Sequence, residues 1–188
     1  MKNFLIKIVI LFGKILGPIF YKKKFLRGKY FDLKDPAFGW HGWLWVLEGI
    51  WIQKILGFNR RFPVPMHHTF KLGSFENLHM HYDNMDNFQS PGCYFQNPDA
   101  HIKIGRGTIV APNVCIITRN HNFKNFDKYE ESKPVEIGKN CWIAANAVIL
   151  PGVTIGDNVV VAAGAIVTKS FGDSCVIGGN PAKVIKDI

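Results

Sequence analysis

The sequence lacks the close cysteine pairs that mark a disulfide framework or a structural zinc site. Its four cysteines, at 93, 115, 141 and 175, lie far apart, and no CxxC occurs. They are expected as reduced thiols acting as small apolar residues. No histidine follows His121. The N-terminal third has no Gly-rich phosphate loop and no alternating strand and helix pattern, which excludes a nucleotide-binding fold there. A long spanning run is also missing. Phe4 to Phe20 is apolar, but it is short and contains Lys7 and Lys14. No small-residue cleavage site follows it, which argues against a cleaved signal peptide.

The larger part of the chain has no marked excess of charge of either sign. The net charge is +9 over 188 residues. Residues 1–71 hold thirteen Lys/Arg against three acids, a balance of +10, and residues 72–188 come to −1. A chain that binds nucleic acid along its whole surface is excluded, because most of it offers no footprint for phosphate backbones.

The basic excess sits with apolar sequence. On a helix, Asn3, Lys7 and Lys14 form one narrow stripe and the rest of residues 4–20 is apolar. Lys22-Lys23-Lys24, Arg27 and Lys29 follow. This pattern predicts a helix lying in a membrane interface, with a polybasic collar drawn to anionic lipid. The competing reading is a helix packed on its own domain or on a partner subunit. Residues 40–57 form a second apolar block with Trp40, Trp43, Trp45 and Trp51. Trp43, Leu47, Ile50 and Lys54 have helical spacing. Tryptophan suits both interfacial lipid and simple packing. Arg60-Arg61, Pro63 and Pro65 end this region, so residues 1–62 are expected as one helical segment and residues 63–188 as the main domain.

From about residue 98 a six-residue period appears. The rungs begin at Ile104, Val110, Ile116, Ile137, Ile143, Ile149, Ile155 and Val161. The fourth position is Gly or Asn in seven of them: Gly107, Asn113, Asn140, Asn146, Gly152, Asn158 and Gly164. Those residues tolerate positive φ at a turn. The fifth position is small or β-branched. Each rung therefore reads as a short strand and a corner, with positions one and five stacked inward, as in a hexapeptide-repeat β-helix. Ile116 and Ile137 are out of phase, and the polar residues 122–136 between them are expected as a loop thrown out of the coil. His121 stands at its start, where a rigid scaffold commonly carries function.

The stretch from about Cys93 to Ile185 resembles the left-handed β-helix, hexapeptide-repeat acyltransferases. It looks most like the maltose/galactoside transacetylases and the capsule and exopolysaccharide O-acetyltransferases. The matching motifs are Ile109-Val-Ala-Pro-Asn-Val, Ile117-Thr-Arg-Asn-His121, Lys133-Pro-Val-Glu-Ile-Gly, Cys141-Trp-Ile, Val148-Ile-Leu-Pro-Gly-Val-Thr-Ile-Gly, Val167-Thr-Lys and Gly178-Gly-Asn-Pro-Ala-Lys183. The resemblance implies an all-β, left-handed parallel β-helix with a C-terminal cap. It implies a homotrimer with sites between neighbouring coils, and acetyl-CoA as co-substrate. His121 matches the catalytic histidine, a base that can take the proton of a sugar hydroxyl as it attacks the thioester. Ala145 matches the position whose backbone N–H stabilises the oxyanion. Asn97, in Tyr94-Phe-Gln-Asn97, resembles an acceptor-site asparagine. Trp142, Ala163, Thr168, Lys169 and Lys183 match the segments along which CoA runs, the lysines as point charges for phosphate.

The remaining histidines suggest less. His79 and His81 would share one strand face, with His67, His68 and His101 nearby in sequence. The hexapeptide carbonic anhydrases carry a late zinc-binding histidine pair that this chain does not have, so no metal is expected. The reading favoured by the residues is an O-acetyltransferase on a surface glycan or glycolipid precursor, cytoplasmic and peripheral on the inner membrane face. An N-acetyltransferase on an amino sugar and a non-catalytic β-helix scaffold are the alternatives.

Overall fold

The computed structural model describes residues 2–188, with side chains from Phe4 onward; the Asn3 side chain of the expected polar stripe lies outside the described residues. The chain divides into two compact units, Met1–His68 and Thr69–Ile188.

In the first unit, helix α1 (Lys2–Phe20) pairs with helix α2 (His41–Gly49). The pairing is close because glycine meets side chain. A Cβ on Gly13 would lie 2.9 Å from the Trp43 Cβ, so only a bare backbone fits there. Outward, α1 shows Phe4, Leu11, Ile15 and Ile19 to solvent, with Lys7 and Lys14 along one edge. Helix α2 runs on into a turn of π-helix, Ile50–Ile55, in which the Leu56 N–H donates to the Trp51 carbonyl (3.0 Å). The π turn carries Gln53 into the interior, fully buried. Its Oε1 accepts from Tyr21 Oη (3.0 Å) and from the Met66 N–H (2.9 Å), and its Nε2 donates to the Asn59 and Val64 carbonyls. The tryptophans divide accordingly. Trp43 is core and edges onto Phe31, Trp45 packs on Tyr30, and Trp51 is 59% exposed. Among the described residues no helix is long and apolar enough to cross a membrane.

The second unit is a left-handed parallel β-helix. Its three faces are parallel sheets. The first face stacks strands Lys71–Leu72, Tyr94–Gln96, Cys115–Ile117, Val148–Ile149 and Ile166–Val167. The second stacks Leu78–Met80, Ile102–Ile104, Val135–Ile137 and Thr154–Ile155. The third stacks Ile109–Val110, Trp142–Ile143, Val160–Val161 and Cys175–Gly178, and the strand Lys183–Asp187 closes it antiparallel. The inward positions are those of the hexapeptide pattern. Ile116, Ile143, Ile149, Val161, Ala147, Val159 and Ala165 are all fully buried. Each such isoleucine removed from water stabilises the coil by about 1.5–3 kcal/mol.

The corner residues behave as their types predict. Asn113, Asn140, Asn146 and Asn158 have φ between 52° and 61°, and Gly107, Gly152 and Gly164 between 70° and 82°. Gly107 is constrained twice, because a Cβ there would also lie 2.5 Å from Asn140 Oδ1 in the rung above. The coil begins earlier than the visible period. Its first turns are irregular: Lys71 pairs with Tyr94 and Tyr94 with Cys115, whereas the later register runs Val148 to Ile166. One missing strand is replaced by side chains. The short helical segment Tyr82–Gln89 lies along the exposed edge of Ile109–Val110. Asn84 receives the Gly107 N–H (2.9 Å) and donates to the Gly105 carbonyl (2.7 Å). Asn87 receives the Val110 N–H (2.9 Å) and donates to the Thr108 carbonyl (3.0 Å). Two buried amides thus supply the donors and acceptors a strand would have supplied.

The loop expected over 122–136 ends sooner. Val135 and Ile137 are buried strand residues of the second face, and the Lys133 N–H closes the loop base on the Thr118 carbonyl (2.7 Å). Within the loop, His121–Asn122 and Asn125–Tyr129 form an antiparallel hairpin, so His121 opens the hairpin rather than preceding it.

The four cysteines are free thiols. Burial pushes the Cys93 thiol up from 9.0 to about 11. The folded state then keeps a proton that the unfolded chain releases near its ordinary cysteine value, about 8.5. That stabilisation is complete below this value and is lost as pH rises toward 11. Chemical denaturation across that range is expected to show falling stability, with a shallower fall in Cys93→Ser, which keeps a donor for the Ala111 carbonyl; the other three cysteines, also raised by burial, keep part of the slope. Asn87→Ala leaves the Val110 N–H and Thr108 carbonyl unpaired, at about 1–3 kcal/mol each. Urea unfolding is expected to show a loss of about 2 kcal/mol or more, and an unchanged midpoint would refute the strand-replacement role.

Candidate active site

The hairpin is anchored by a half-buried side chain beneath it. Gln96 ends a first-face strand. Its carbonyl accepts from the Thr118 N–H (3.0 Å) and hydroxyl (2.8 Å), and its Oε1 accepts from the Arg119 N–H (3.0 Å). The chain leaves the coil here and turns back at residues 122–125, where Asn122 Oδ1 accepts from the Lys124 and Asn125 N–H groups. The register places His121 opposite Tyr129.

This geometry specifies the tautomer of His121. Its Nδ1 lies 2.8 Å from the Phe126 carbonyl oxygen, which can only accept, so Nδ1 carries the proton. Nε2 keeps its lone pair, and no residue of the described chain hydrogen-bonds it. The ring packs tilted against Tyr129, centroids 4.6 Å apart, and the Arg119 guanidinium lies over the Tyr129 ring, 3.8 Å from its centroid. Arg119 is held by an ion pair with Asp99, and its buried Nε has no hydrogen-bond partner. The sequence reading missed Arg119, Tyr129, Gln96 and Asp99. Only hairpin register brings Tyr129 to His121, and the polar residues of the loop carry no period that announces a hairpin.

The other expected positions fall elsewhere. Trp142 is 53% exposed on the third face, in register between Ile109 and Val160. Ala145 lies in the corner that follows. Its carbonyl accepts the Gly164 N–H (2.9 Å), while its own N–H donates to nothing among the described residues. Ala163 occupies the equivalent corner one coil later and is exposed. Thr168 and Lys169 are exposed after the strand Ile166–Val167, and Lys183 is exposed opposite Gly178. Neither lysine makes an ion pair among the described residues.

Asn97 takes a different part from the one the resemblance implies. It is fully buried, its Nδ2 donates to the Ser74 carbonyl (2.8 Å) and its Oδ1 accepts the Ser74 N–H (3.1 Å). Both ends of the amide hold the turn of the coil below, and the side chain is closed off from solvent. His81 also departs from expectation. It does not share a strand face with His79, because it caps the following helical segment by accepting the Asp83 N–H (3.1 Å). His79 instead faces His101, whose Nε2 lies 3.2 Å from Glu136. The His101 contact and the Lys103 charge hold the Glu136 carboxyl below its ordinary range. Among the described residues no cluster of three or more His, Cys, Asp or Glu could hold a metal.

Within one chain the two halves of the expected site stand apart. The His121 hairpin leaves the coil at the corner between first and second faces. The Ala145 and Ala163 turns occupy the corner between third and first faces.

Nitrogen chemical shifts of His121 in the full chain are expected to show the Nδ1–H tautomer whenever the ring is neutral. A predominant Nε2–H signal would overturn the assignment.

Residues 134–169 match the bacterial transferase hexapeptide family (six repeats). The chain is 43% identical over 95 residues to galactoside O-acetyltransferase of Escherichia coli (strain K12), covering 48% of this chain and 46% of that protein. It is 39% identical over 97 residues to the putative lipopolysaccharide biosynthesis O-acetyl transferase WbbJ of the same organism, covering 45% and 50%. A hexapeptide-repeat acetyltransferase of Vibrio cholerae, solved with acetyl-CoA, superposes with a TM-score of 0.48 at 30% identity, covering 51% of this chain and 54% of that one. The chain thus spans about half the length of the curated relatives it matches. Its C-terminal coil carries the bacterial transferase hexapeptide repeat and resembles the hexapeptide-repeat acyltransferases, among them galactoside and lipopolysaccharide O-acetyltransferases.

Proposed function

We propose that this chain is an acetyl-CoA-dependent O-acetyltransferase acting on a sugar hydroxyl of a surface glycan or glycolipid precursor. The observation that carries the reading is His121. It is exposed on a hairpin held by Gln96, backed by Tyr129, with Nδ1–H engaged by a carbonyl and the Nε2 lone pair uncommitted. An imidazole in that state is a base. It takes the acceptor hydroxyl proton at Nε2 as the oxygen attacks the thioester carbonyl, and returns the proton to the departing thiolate. The unpaired Ala145 N–H supports an oxyanion role for that corner, since a donor already committed to a neighbour could not serve. Trp142, Ala163, Thr168, Lys169 and Lys183 remain the proposed CoA track, with the lysines toward phosphate. Asn97 is left out of the acceptor site.

A homotrimer follows from the same reading. His121 and Ala145 project from different corners of one coil, so a shared site needs the histidine of one copy beside the corner of the next. The exposed ladder of Ile109 and Trp142 on the third face supports burial by such a neighbour. The N-terminal segment, residues 1–62, is proposed as an anchor at an anionic membrane surface. Its support is the apolar outer arc of α1 with lysines on one edge.

Release of free CoA, screened across sugar acceptors, tests the activity. His121→Ala is expected to lose about 10²–10⁴ of the rate while keeping its sedimentation behaviour. Equal turnover with and without the imidazole would sink the catalytic assignment. Transfer to an amino sugar alone would favour the N-acetyltransferase alternative.

A further inference from the structure

One side-chain cluster of the first unit takes no part in the proposed chemistry. Where α1 ends, an open cleft of about 520 Å³ lies between its last turn and the segment that follows the π turn. Four of its lining side chains are cationic, Lys22, Lys23, Lys54 and Arg61, and none is acidic. Its volume falls in the usual range for small-ligand sites.

The cations are set in a built frame. The Lys22 N–H donates to the Pro63 carbonyl (3.2 Å) and so ties the two walls together. The Lys54 ammonium donates to the Arg60 and Phe62 carbonyls, each at 2.8 Å, and sits 4.8 Å from the Tyr21 ring centroid. Two of its three protons are therefore committed and the charge is held in place. Burial, then the nearby Arg60 charge, pulls the Lys54 ammonium below its ordinary value, a cost that a bound anion relieves. Lys22 and Lys23 are exposed and make no ion pair among the described residues. One wall is apolar. Ile19 is 70% exposed and continues the i, i+4 stripe of Ile15 and Leu11, both also exposed.

We propose that this cleft binds the phosphate of an anionic lipid, with the headgroup among Lys22, Lys23, Lys54 and Arg61 and the hydrocarbon along the Ile19, Ile15 and Leu11 stripe. The juxtaposition of a four-cation cleft with a continuous apolar stripe matches an amphiphile better than a free anion, which would leave the stripe in water. The proposal rests on the reading of this unit as a membrane-surface anchor and names its ligand class.

The test uses the full chain with three probes: a soluble short-chain phosphatidic acid by calorimetry, inorganic phosphate as competitor, and vesicles of phosphatidylcholine with and without phosphatidic acid by flotation. The paired variant Lys22→Ala, Lys23→Ala removes cleft charge. The pair Lys24→Ala, Lys34→Ala removes equal charge outside it. The soluble lipid is expected to bind, to lose about fivefold per cleft lysine removed, and to be unaffected by the second pair. Both pairs are expected to weaken flotation with anionic vesicles. If anionic vesicles bind but the soluble lipid does not, or if both pairs weaken binding of the soluble lipid equally, the cleft proposal fails and the anchor reading stands. Competition by inorganic phosphate at matching concentration would overturn the lipid assignment. If neither vesicle binds, the anchor reading fails as well.

Discussion

The second unit depends on one repeated constraint: every rung must turn a corner without a side chain striking the rung beside it. A left-handed backbone at the fourth position meets it, and asparagine or glycine meets the left-handed backbone at little cost. Once the corners stack, the parallel strands fall into register and position one points inward in every rung. The hydrophobic core is then a column of Ile and Val, with Val114, Cys141 and Ala147 filling the spaces between. Failure at one corner is felt by its neighbours, because each rung buries only the next. Thr108 shows how little polarity the column tolerates. Its buried hydroxyl donates to the Gly138 carbonyl and accepts the Cys141 N–H, so nothing is left unpaired.

The same rigidity makes departures from the repeat informative. At the coil's early end the chain replaces a strand with Asn84 and Asn87, because an uncovered sheet edge leaves backbone groups unpaired. At the loop it does the opposite, leaving the coil for a hairpin that the solenoid itself does not need. The hairpin is anchored by Gln96 below and braced by Arg119 and Tyr129 beside. A flexible loop would hold an imidazole in many orientations, whereas this one engages its Nδ1–H and presents one nitrogen.

The first unit is organised on another principle. Its helices approach through glycine, at Gly13 against Trp43, and its buried polar centre is Gln53, brought inward by a π turn. Spending the small residues inward leaves the large apolar ones on the outer arc of α1. In water alone that arc is a cost, since large apolar side chains gain nothing by facing solvent. Together with the cationic cleft at the end of α1, it is the physical basis for reading this unit as a lipid-facing one.

What the sequence by itself determined is whatever repeats or sums along the chain. The seven Gly and Asn corners, the inward columns, the position of the insertion after Ile116 and the concentration of charge before residue 72 were all legible, because local backbone preference and side-chain period dictate them. Tertiary structure alone decided the rest. Asn97 sits in a motif that resembles an acceptor site, yet the Ser74 turn, twenty-three residues earlier in the chain, claims its amide. His81 caps a helical turn instead of joining His79. Tyr129 reaches His121 only through hairpin register, and Arg119 joins them only as a cation over the Tyr129 ring. Those outcomes depend on which distant backbone groups need partners, and no local period records that need.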